Sequence, residues 1–199
     1  MSAHAPCHQT LMPVPAEVLT ERLRLRPLQR SDAPALFSAL DESRRDLESW
    51  LNWPATLKNV ADVAEFCAMS RAQWDLRTTL WYGIFLREND SVLGATGLHD
   101  LDFEWRSFEI GYWLRTSAVG CGYAHEAVGA VVRMAFGDLR ARRVEIRCDP
   151  HNDRSRQVAE RLGFVLEGRL RKATRTPSGL PRDTLVFSVI DDDRHGLGG

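Results

Sequence analysis

A glycine-rich stretch in the second half of the chain is the clearest candidate for chemistry. Gly120 and Gly122 follow a strand-like segment that ends at Leu114, and Tyr123 begins a stretch with apolar residues at helical spacing. The first N–H groups of a helix lack partners and carry partial positive charge, so such a loop can bind a pyrophosphate. Glycines also let phosphate oxygens approach the backbone without a Cβ in the way. A helix that simply begins after two glycines is the alternative, and this pattern alone does not decide between them.

The loop differs from two common nucleotide-binding patterns. The segment 120–124 lacks the glycine spacing of the dinucleotide-binding GxGxxG pattern, and no Gly-Lys-Ser/Thr follows it, as the phosphate loops of NTPases require. The small side chain of Ala124 leaves the helix start accessible, as the glycines do. The sequence therefore indicates a GxGxA loop outside those two classes.

A second candidate segment runs from Asp149 to Ser155, where a strand pattern gives way to helical spacing. Asn152 is suited to cap this helix or to reach the amide of a ligand. Ser155 lies one turn into the helix at the same end. Pure capping explains Asn152 as well as ligand binding does, so both interpretations stay open.

The elements that would position these segments are strands first, then strands alternating with helices. Apolar–polar alternation predicts strands, and apolar residues three and four positions apart predict helices. Strands are predicted near 19–28, 80–86, 92–98, 108–114, 143–148, 165–171 and 184–190; helices are predicted near 60–74, 123–139 and 152–162, and another after Ser31. This order predicts a mixed α/β or α+β sheet with helices on both faces.

The length of 199 residues fits one domain. Residues 1–17 carry three prolines and no periodic pattern, which predicts a loose N-terminal arm. The domain is expected over 18–190, and the polar, glycine-rich residues 191–199 are expected to form a flexible tail.

The composition excludes several classes of partner. Apolar residues make up 44% of the chain and charged residues 27%, and the formal net charge of −1 gives no overall attraction to nucleic acid or to a membrane. No apolar run reaches the roughly 18 residues of a membrane span, and the first residues lack a signal-peptide pattern, so a cytoplasmic protein is expected. The four cysteines form no CxxC pair and have no histidine cluster beside them, so no metal site is expected.

Together and in order, these segments resemble the GNAT superfamily of N-acetyltransferases over about residues 19–190. The resemblance is greatest to the ribosomal-protein alanine/serine N-terminal acetyltransferase (RimJ/RimL-like) branch. The matching stretches are LTERLRLR (19–26), WLNWP (50–54), GATGLH (94–99), EIGYWL (109–114), GCGYAHEA (120–127), Asn152 with Ser155, LGFVLEG (162–168) and Arg182-Asp183. The resemblance implies the GNAT fold, a twisted, mixed, mostly antiparallel sheet that is flanked by helices. It also implies that the sheet is splayed between central parallel strands ending at Leu114 and Cys148.

The resemblance implies acetyl-CoA as the co-substrate and no metal. Its pantetheine arm is expected in the splayed gap, and its pyrophosphate on the glycine loop. The implied cofactor-binding residues are Tyr112, Trp113, Leu114, Val119, Gly120, Cys121, Gly122, Tyr123, Ala124 and Asn152. Val119 departs from the family pattern, which often has Gln or Arg at this position, so one side-chain contact near the pyrophosphate is expected to be lost.

Acetyl transfer to an amine needs positioning, a neutral amine and a donor for the oxyanion, which a backbone N–H near Trp113 is expected to supply. Glu109 is the expected base, acting through water, because packing alone does not explain a carboxylate between Phe108 and Ile110; a structural ion pair is the alternative. Ser155 is the expected acid, since the family branch commonly has serine here. A plain serine on the helix surface is the alternative.

The expected acceptor is a protein or peptide N-terminus, such as that of a ribosomal protein. An α-amine has a pKa of about 7.7–8.0 and lysine one of about 10.4, so a single carboxylate acting through water suits the α-amine better. The candidates for the acceptor pocket are Trp50, Trp53, Tyr82 and Trp105, with ordinary packing as the alternative. A small-molecule amine (a drug, polyamine or amino acid) and a catalytically silent acyl-CoA-binding regulatory module remain as other functions. Related enzymes often dimerise, so a homodimer is compatible with the resemblance.

Overall fold

An eight-stranded sheet forms the centre of the protein in the computed structural model, which describes residues 13–196 and the side chains of 13–193. The strands are β1 (Val18–Leu19), β2 (Leu23–Arg26), β3 (Leu80–Leu86), β4 (Val92–Asp102), β5 (Ser107–Leu114), β6 (Arg143–Cys148), β7 (Val165–Arg175) and β8 (Pro181–Ile190). Their order across the sheet is β1-β2-β3-β4-β5-β6-β8-β7, and only β5 and β6 pair in parallel. The expected mixed, mostly antiparallel sheet is confirmed.

Helices cover both faces of this sheet. They are α1 (Ala33–Leu47), α2 (Val60–Asp75), α3 (Tyr123–Gly137) and α4 (Asp153–Arg161). Apolar residues of α1 and α2 pack with Phe85 and Trp113 on one face, and those of α3 and α4 pack with Tyr82 and Phe108 on the other. None of the helices in residues 13–196 combines the length and the hydropathy that a membrane span requires.

The helix that follows the glycine loop is firmly anchored. Nine of the fifteen residues of α3 are buried, and Val128 and Val131 have no exposed surface. Burial of one such valine contributes roughly 1.5–3 kcal/mol to stability. The N-terminus of α3 is therefore held in a fixed place relative to the sheet.

The sheet splays where the two parallel strands meet. Only Ser107–Glu109 of β5 pairs with Arg143–Glu145 of β6, although the strands continue to Leu114 and Cys148. Past Glu109 the strands diverge and leave a gap at their carboxyl ends. The splay that the resemblance implied is confirmed.

Two details at the start of the domain differ from the sequence predictions. Val14 is buried in the core, and the hydroxyl of Tyr82 donates to the carbonyl of Pro15 at 2.7 Å, so these two residues anchor the end of the predicted loose arm. Residues 1–12 lie outside the described part of the chain. Ser31 lies inside a short 3-10 helix (Arg30–Asp32) and does not cap α1.

The predicted tail also begins with regular structure. Asp191–Gly196 form a 3-10 helix, and the N–H of Asp191 donates to the carbonyl of Arg142 at 3.1 Å. Local composition does not reveal this contact with the end of the α3–β6 connection, and the flexibility of the tail over 191–199 stays a prediction. Residues 197–199 lie outside the described part.

Candidate active site

A cavity of about 880 Å³ opens where β5 and β6 diverge. Its wall combines the ends of both strands, the loop before α3, the first turns of α4 and the connection between α1 and α2. The volume suits a small-molecule site, for which about 300–1,000 Å³ is typical. The predicted site residues that line it are Trp50, Trp53, Glu109, Tyr112, Trp113, Leu114, Val119, Gly120, Gly122, Tyr123, Ala124, Asn152 and Ser155.

The loop before α3 has the geometry of an anion site. Gly120 and Gly122 have φ of +85° and +81°, a region that favours glycine. Gly122 is the N-cap of α3 and offers no side-chain cap. Within residues 13–196, the N–H groups of Tyr123, Ala124 and His125 have no hydrogen-bond acceptor. These free donors at the positive end of a long helix suit a pyrophosphate.

A loop clamp, formed by Thr20, Arg22 and Glu126, fixes this loop. The Glu126 carboxylate accepts hydrogen bonds from the Thr20 hydroxyl at 2.5 Å, the Arg22 N–H at 2.8 Å and Arg22 Nε at 2.7 Å. Arg22 also donates to the carbonyl of Cys121 at 2.9 Å and lies over the ring of Tyr123. Burial raises the pKa of Glu126, but the hydrogen bonds from Thr20 and Arg22 outweigh it and hold the pKa below its ordinary value. The carboxylate is therefore ionised at neutral pH.

The backbone of β5 is available on the side of the gap. Residues 110–114 pair with residues 94–98 of β4 on one side. On the other side, no strand of the described chain pairs with β5 beyond Glu109. An extended arm with amide groups can add there as a further strand would. The side chains of Tyr112, Trp113 and Leu114 line the same stretch of the cavity.

Asn152 and Ser155 meet at the N-terminus of α4. The side chain of Asn152 accepts a hydrogen bond from the Ser155 N–H at 3.1 Å, so Asn152 caps the helix while also lining the cavity. The hydroxyl of Ser155 lies 2.8 Å from the hydroxyl of Tyr112. Burial raises the pKa of Tyr112, which keeps its hydroxyl protonated. Ser155 is therefore placed by β5 as well as by its own helix.

Glu109 lies in the cavity wall between two basic side chains. Its Oε1 is 3.8 Å from Nε2 of His99, and its Oε2 is 3.3 Å from Nε of Arg147. Its side chain is 17% exposed. Burial raises the pKa of Glu109, His99 and Arg147 act in the opposite direction, and the net effect is upward. A partly buried carboxylate with a raised pKa that faces a cavity is a candidate proton acceptor.

The same cluster resembles a set of metal ligands only in part. Ligand atoms of His99, Asp100 and Glu109 lie within 4.8 Å of one another. However, the Arg147 guanidinium already lies 3.3 Å from the Glu109 carboxylate, and the Asp100 side chain is 81% exposed. A second cation beside Arg147 would be repelled, so the cluster suits proton transfer better than metal binding.

Part of the cavity wall is aromatic. Trp53 stacks on Phe66 with ring centroids 6.0 Å apart and meets Trp113 edge-on at 5.9 Å. The carbonyl of Trp50 accepts a hydrogen bond from Nη1 of Arg182 at 3.1 Å. All of these residues line the cavity. We call this region, in which Trp50 and Trp53 are the predicted acceptor residues, the acceptor end.

Two predicted acceptor residues lie elsewhere. Tyr82 is fully buried in the core, because neighbouring residues of a strand face opposite sides of the sheet and its neighbour Trp81 faces the cavity. Trp105 is 61% exposed in the turn between β4 and β5, under the guanidinium of Arg142. The prediction that Tyr82 and Trp105 line the acceptor pocket is wrong.

Cys121 is the one predicted loop residue outside the cavity wall. Its side chain is exposed, with Sγ 4.0 Å from the carbonyl oxygen of Val119. The turn between the two glycines directs this side chain outward. A contact between Cys121 and the cofactor therefore stays a prediction.

The sequence analysis missed several cavity residues, above all His99. The detectable signal was the strand register, because His99 and Glu109 are direct partners across β4 and β5. Phe66 and Arg182 come from α2 and β8, and no local pattern connects them with the other site residues.

Comparison with known proteins agrees with this architecture. Residues 22–165 match the family model described as Acetyltransferase (GNAT) domain. The ribosomal-protein-serine acetyltransferase of Escherichia coli (strain K12) is 27% identical over 173 residues, which cover 87% of this chain and 96% of that protein. The N-acetyltransferase YoaA of Bacillus subtilis (strain 168), itself uncharacterised, is 30% identical over 175 residues, which cover 86% of this chain and 94% of that protein.

A solved structure gives the same result. Mycobacterium smegmatis RimJ, in complex with CoA-disulfide, superposes with a TM-score of 0.79 at 26% identity and covers 88% of this chain and 87% of its own. Members of the family use acetyl-CoA without a metal ion, and the free N–H groups at α3 and the open edge of β5 fit that molecule. The chain therefore belongs to the GNAT acetyltransferase family and is an acetyl-CoA-dependent N-acetyltransferase.

Proposed function

We propose that the acceptor is the α-amine of a polypeptide N-terminus, such as that of a ribosomal protein. The observation that carries this proposal is the position of Glu109, a carboxylate in the cavity wall whose pKa is raised by burial. An α-amine with a pKa of about 7.7–8.0 needs only modest help to lose its proton, whereas a lysine at about 10.4 needs far more. The names of relatives that act on ribosomal proteins support the same class of acceptor.

Each site residue has a distinct role in this proposal. The N–H groups of Tyr123, Ala124 and His125 hold the pyrophosphate, and the open edge of β5 holds the pantetheine arm. Bound acetyl-CoA supplies the thioester carbonyl that the amine attacks. Glu109 accepts the amine proton through water, and Ser155, hydrogen-bonded to Tyr112, donates a proton to the departing sulfur.

A small-molecule amine is the second candidate. The aromatic wall around Trp53 and Phe66 favours it, because stacked rings bind flat or cationic organic molecules well. This acceptor would use the same Glu109 and Ser155 and would need no surface outside the cavity.

An amine panel separates the two candidates. Release of free thiol from acetyl-CoA is measured with peptides that have free N-termini, with polyamines, with amino acids and with amine drugs, and succinyl-CoA is tested as an alternative donor. The proposal expects kcat/KM to be highest for the peptides. Acetylation of small amines, without acetylation of any of the peptides, would contradict the proposal.

The homodimer stays a prediction, which sedimentation velocity tests.

A further inference from the structure

The hairpin of β7 and β8 has a concentrated positive charge. The segment 168–182 contains five cationic residues and no acidic residue, whereas the whole chain has a formal net charge of −1. The five are Arg169, Arg171, Lys172, Arg175 and Arg182. We call this segment the cationic hairpin. Its charge produces a local positive potential.

The charges of the cationic hairpin are only partly neutralised. Arg169 forms an ion pair with Asp183 at 2.7 Å, and Arg182 lies 3.5 Å from Asp149. Among the ion pairs of the described side chains, none includes Arg171, Lys172 or Arg175. Three cations are therefore available to a partner.

The backbone of β7 is also available. β7 is the last strand in the sheet order, so one edge has no strand partner in the described chain. Ten of its eleven residues are exposed, including the apolar Val165, Leu166 and Leu170. A long exposed edge with apolar side chains binds an extended polypeptide by strand addition.

The cationic hairpin adjoins the acceptor end of the cavity. Arg182 lines the cavity and donates to the carbonyl of Trp50 at 3.1 Å, and it pairs across the hairpin with Thr174 of β7. A polypeptide that enters the acceptor end with its N-terminus first thus has its following residues close to β7.

We propose that the cationic hairpin is a docking surface for an acidic segment of the acceptor protein, located after the N-terminus that is acetylated. This inference rests on the proposed function, in which the acceptor is a polypeptide. An acidic polypeptide fits better than a nucleic acid, because single strands bind through aromatic stacking as well as phosphate contacts and residues 165–182 contain no aromatic side chain. The free strand edge and exposed leucines serve a polypeptide instead.

The test compares two peptides with the same free N-terminal segment. One continues into a run of glutamates and the other into a run of glutamines. The charge-reversal variant Arg171→Glu/Arg175→Glu is compared with the control Arg30→Glu/Arg140→Glu, which changes the net charge equally at exposed residues outside the cavity wall. Wild type and control are expected to prefer the acidic peptide about tenfold in kcat/KM at low salt, mainly through KM. The hairpin variant is expected to lose this preference while its kcat/KM for the glutamine peptide stays unchanged.

A binding measurement keeps this test separate from the proposed function. Fluorescence anisotropy is measured with N-terminally blocked, labelled forms of both peptides and with an oligouridylate of equal charge. If no peptide is acetylated, the proposed function fails, but salt-sensitive binding of the acidic peptide that Arg171→Glu/Arg175→Glu abolishes still supports the docking surface. Equal affinity for both peptides in the wild type overturns the inference, as does tighter binding of the oligouridylate. The inference is also overturned if the wild type and the control form a dimer and the hairpin variant does not. A second copy of the chain would then cover the surface.

Discussion

The hydroxyl of Tyr112 lies 2.8 Å from the hydroxyl of Ser155, and this contact joins β5 to α4 across the gap between the diverging strands. Tyr112 also donates to the carbonyl of Ser155 at 3.1 Å. Because the Ser155 N–H is held by Asn152, the serine is fixed by its backbone and by its side chain separately. The role of the Ser155 backbone at the start of α4 and the proposed role of its hydroxyl as an acid can therefore be tested separately.

Ser155→Ala is expected to lower kcat by roughly 10²-fold, in line with the usual contribution of a general acid, with little change in acetyl-CoA affinity. The melting temperature should stay near the wild-type value, because the alanine keeps the N–H that Asn152 binds. Asn152→Ala is the matched control and should lower stability by about 1 kcal/mol through loss of the cap. If the Ser155→Ala variant turns over at the wild-type rate per folded molecule, Ser155 is a plain serine on the helix surface and not the acid.

Glu109→Gln is expected to lower kcat by roughly 10²-fold at pH 7, since the amide keeps the shape but accepts no proton. The loss should shrink as the pH rises, because more of the amine is then already neutral. In the wild type, the apparent pKa of the acidic limb of the kcat/KM pH profile should lie above the ordinary glutamate value of 4.5, since burial raises the pKa of Glu109. Unchanged kcat from pH 6 to pH 9 in the variant would remove Glu109 from the mechanism.

The stability of the same variant separates a base from a structural ion pair. A carboxyl whose pKa is raised in the folded state stabilises the fold below its ordinary pKa of 4.5, and this contribution is lost as the pH rises through the raised value. At pH 7 Glu109→Gln is therefore expected to be at least as stable as the wild type. Chemical denaturation at pH 4 and pH 7 checks this. A marked loss of stability at pH 7 would favour the structural ion pair with Arg147.

The sequence predicts a residue of this site only where the residue's position depends on its neighbours in the chain. The glycine loop, Asn152 and Ser155 lie at element boundaries, where residue types report backbone geometry directly, so the sequence located them well. Whether His99 and Tyr82 face the cavity depends on the strand register and on which face of the strand is covered. A shift of one residue in the register reverses that face. Arg182 reaches the cavity through the pairing of β8 with β6, a long-range contact that composition and periodicity do not encode.

Gly122→Val is expected to abolish measurable acetyl-CoA binding, since a branched side chain blocks the approach of the pyrophosphate to the N–H groups of α3. A Cβ there would also lie 3.4 Å from the Arg22 guanidinium. Gly179→Val controls for backbone strain, because its φ of +85° resembles the +81° of Gly122 but no atom lies within 4 Å of an added Cβ. Calorimetric titration of both variants measures the difference. Wild-type affinity in a folded Gly122→Val protein would mean that the loop has been assigned wrongly.

Glu126→Gln is expected to lower stability by about 1 kcal/mol at neutral pH, because it weakens the loop clamp at a partly exposed site. Hydrogen bonds hold the folded pKa of Glu126 below its ordinary 4.5, so the stabilisation is present above pH 4.5 and is lost as the pH falls through the lower value. The stability gap to the wild type should therefore close in acid. Glu160→Gln, which changes a surface pair with Arg156, is the control and should have almost no effect. An equal change in stability in Glu126→Gln and Glu160→Gln at each pH would argue against the loop clamp.

The central claim, acetylation of an α-amine, is tested most directly with one peptide that carries both a free N-terminus and an internal lysine. The peptide is incubated with the enzyme and acetyl-CoA, and tandem mass spectrometry locates the acetyl group. The account predicts a single acetyl group on the N-terminal nitrogen, with Glu109→Gln reducing its rate of formation. Acetylation of the lysine side chain in preference to the N-terminus would contradict it.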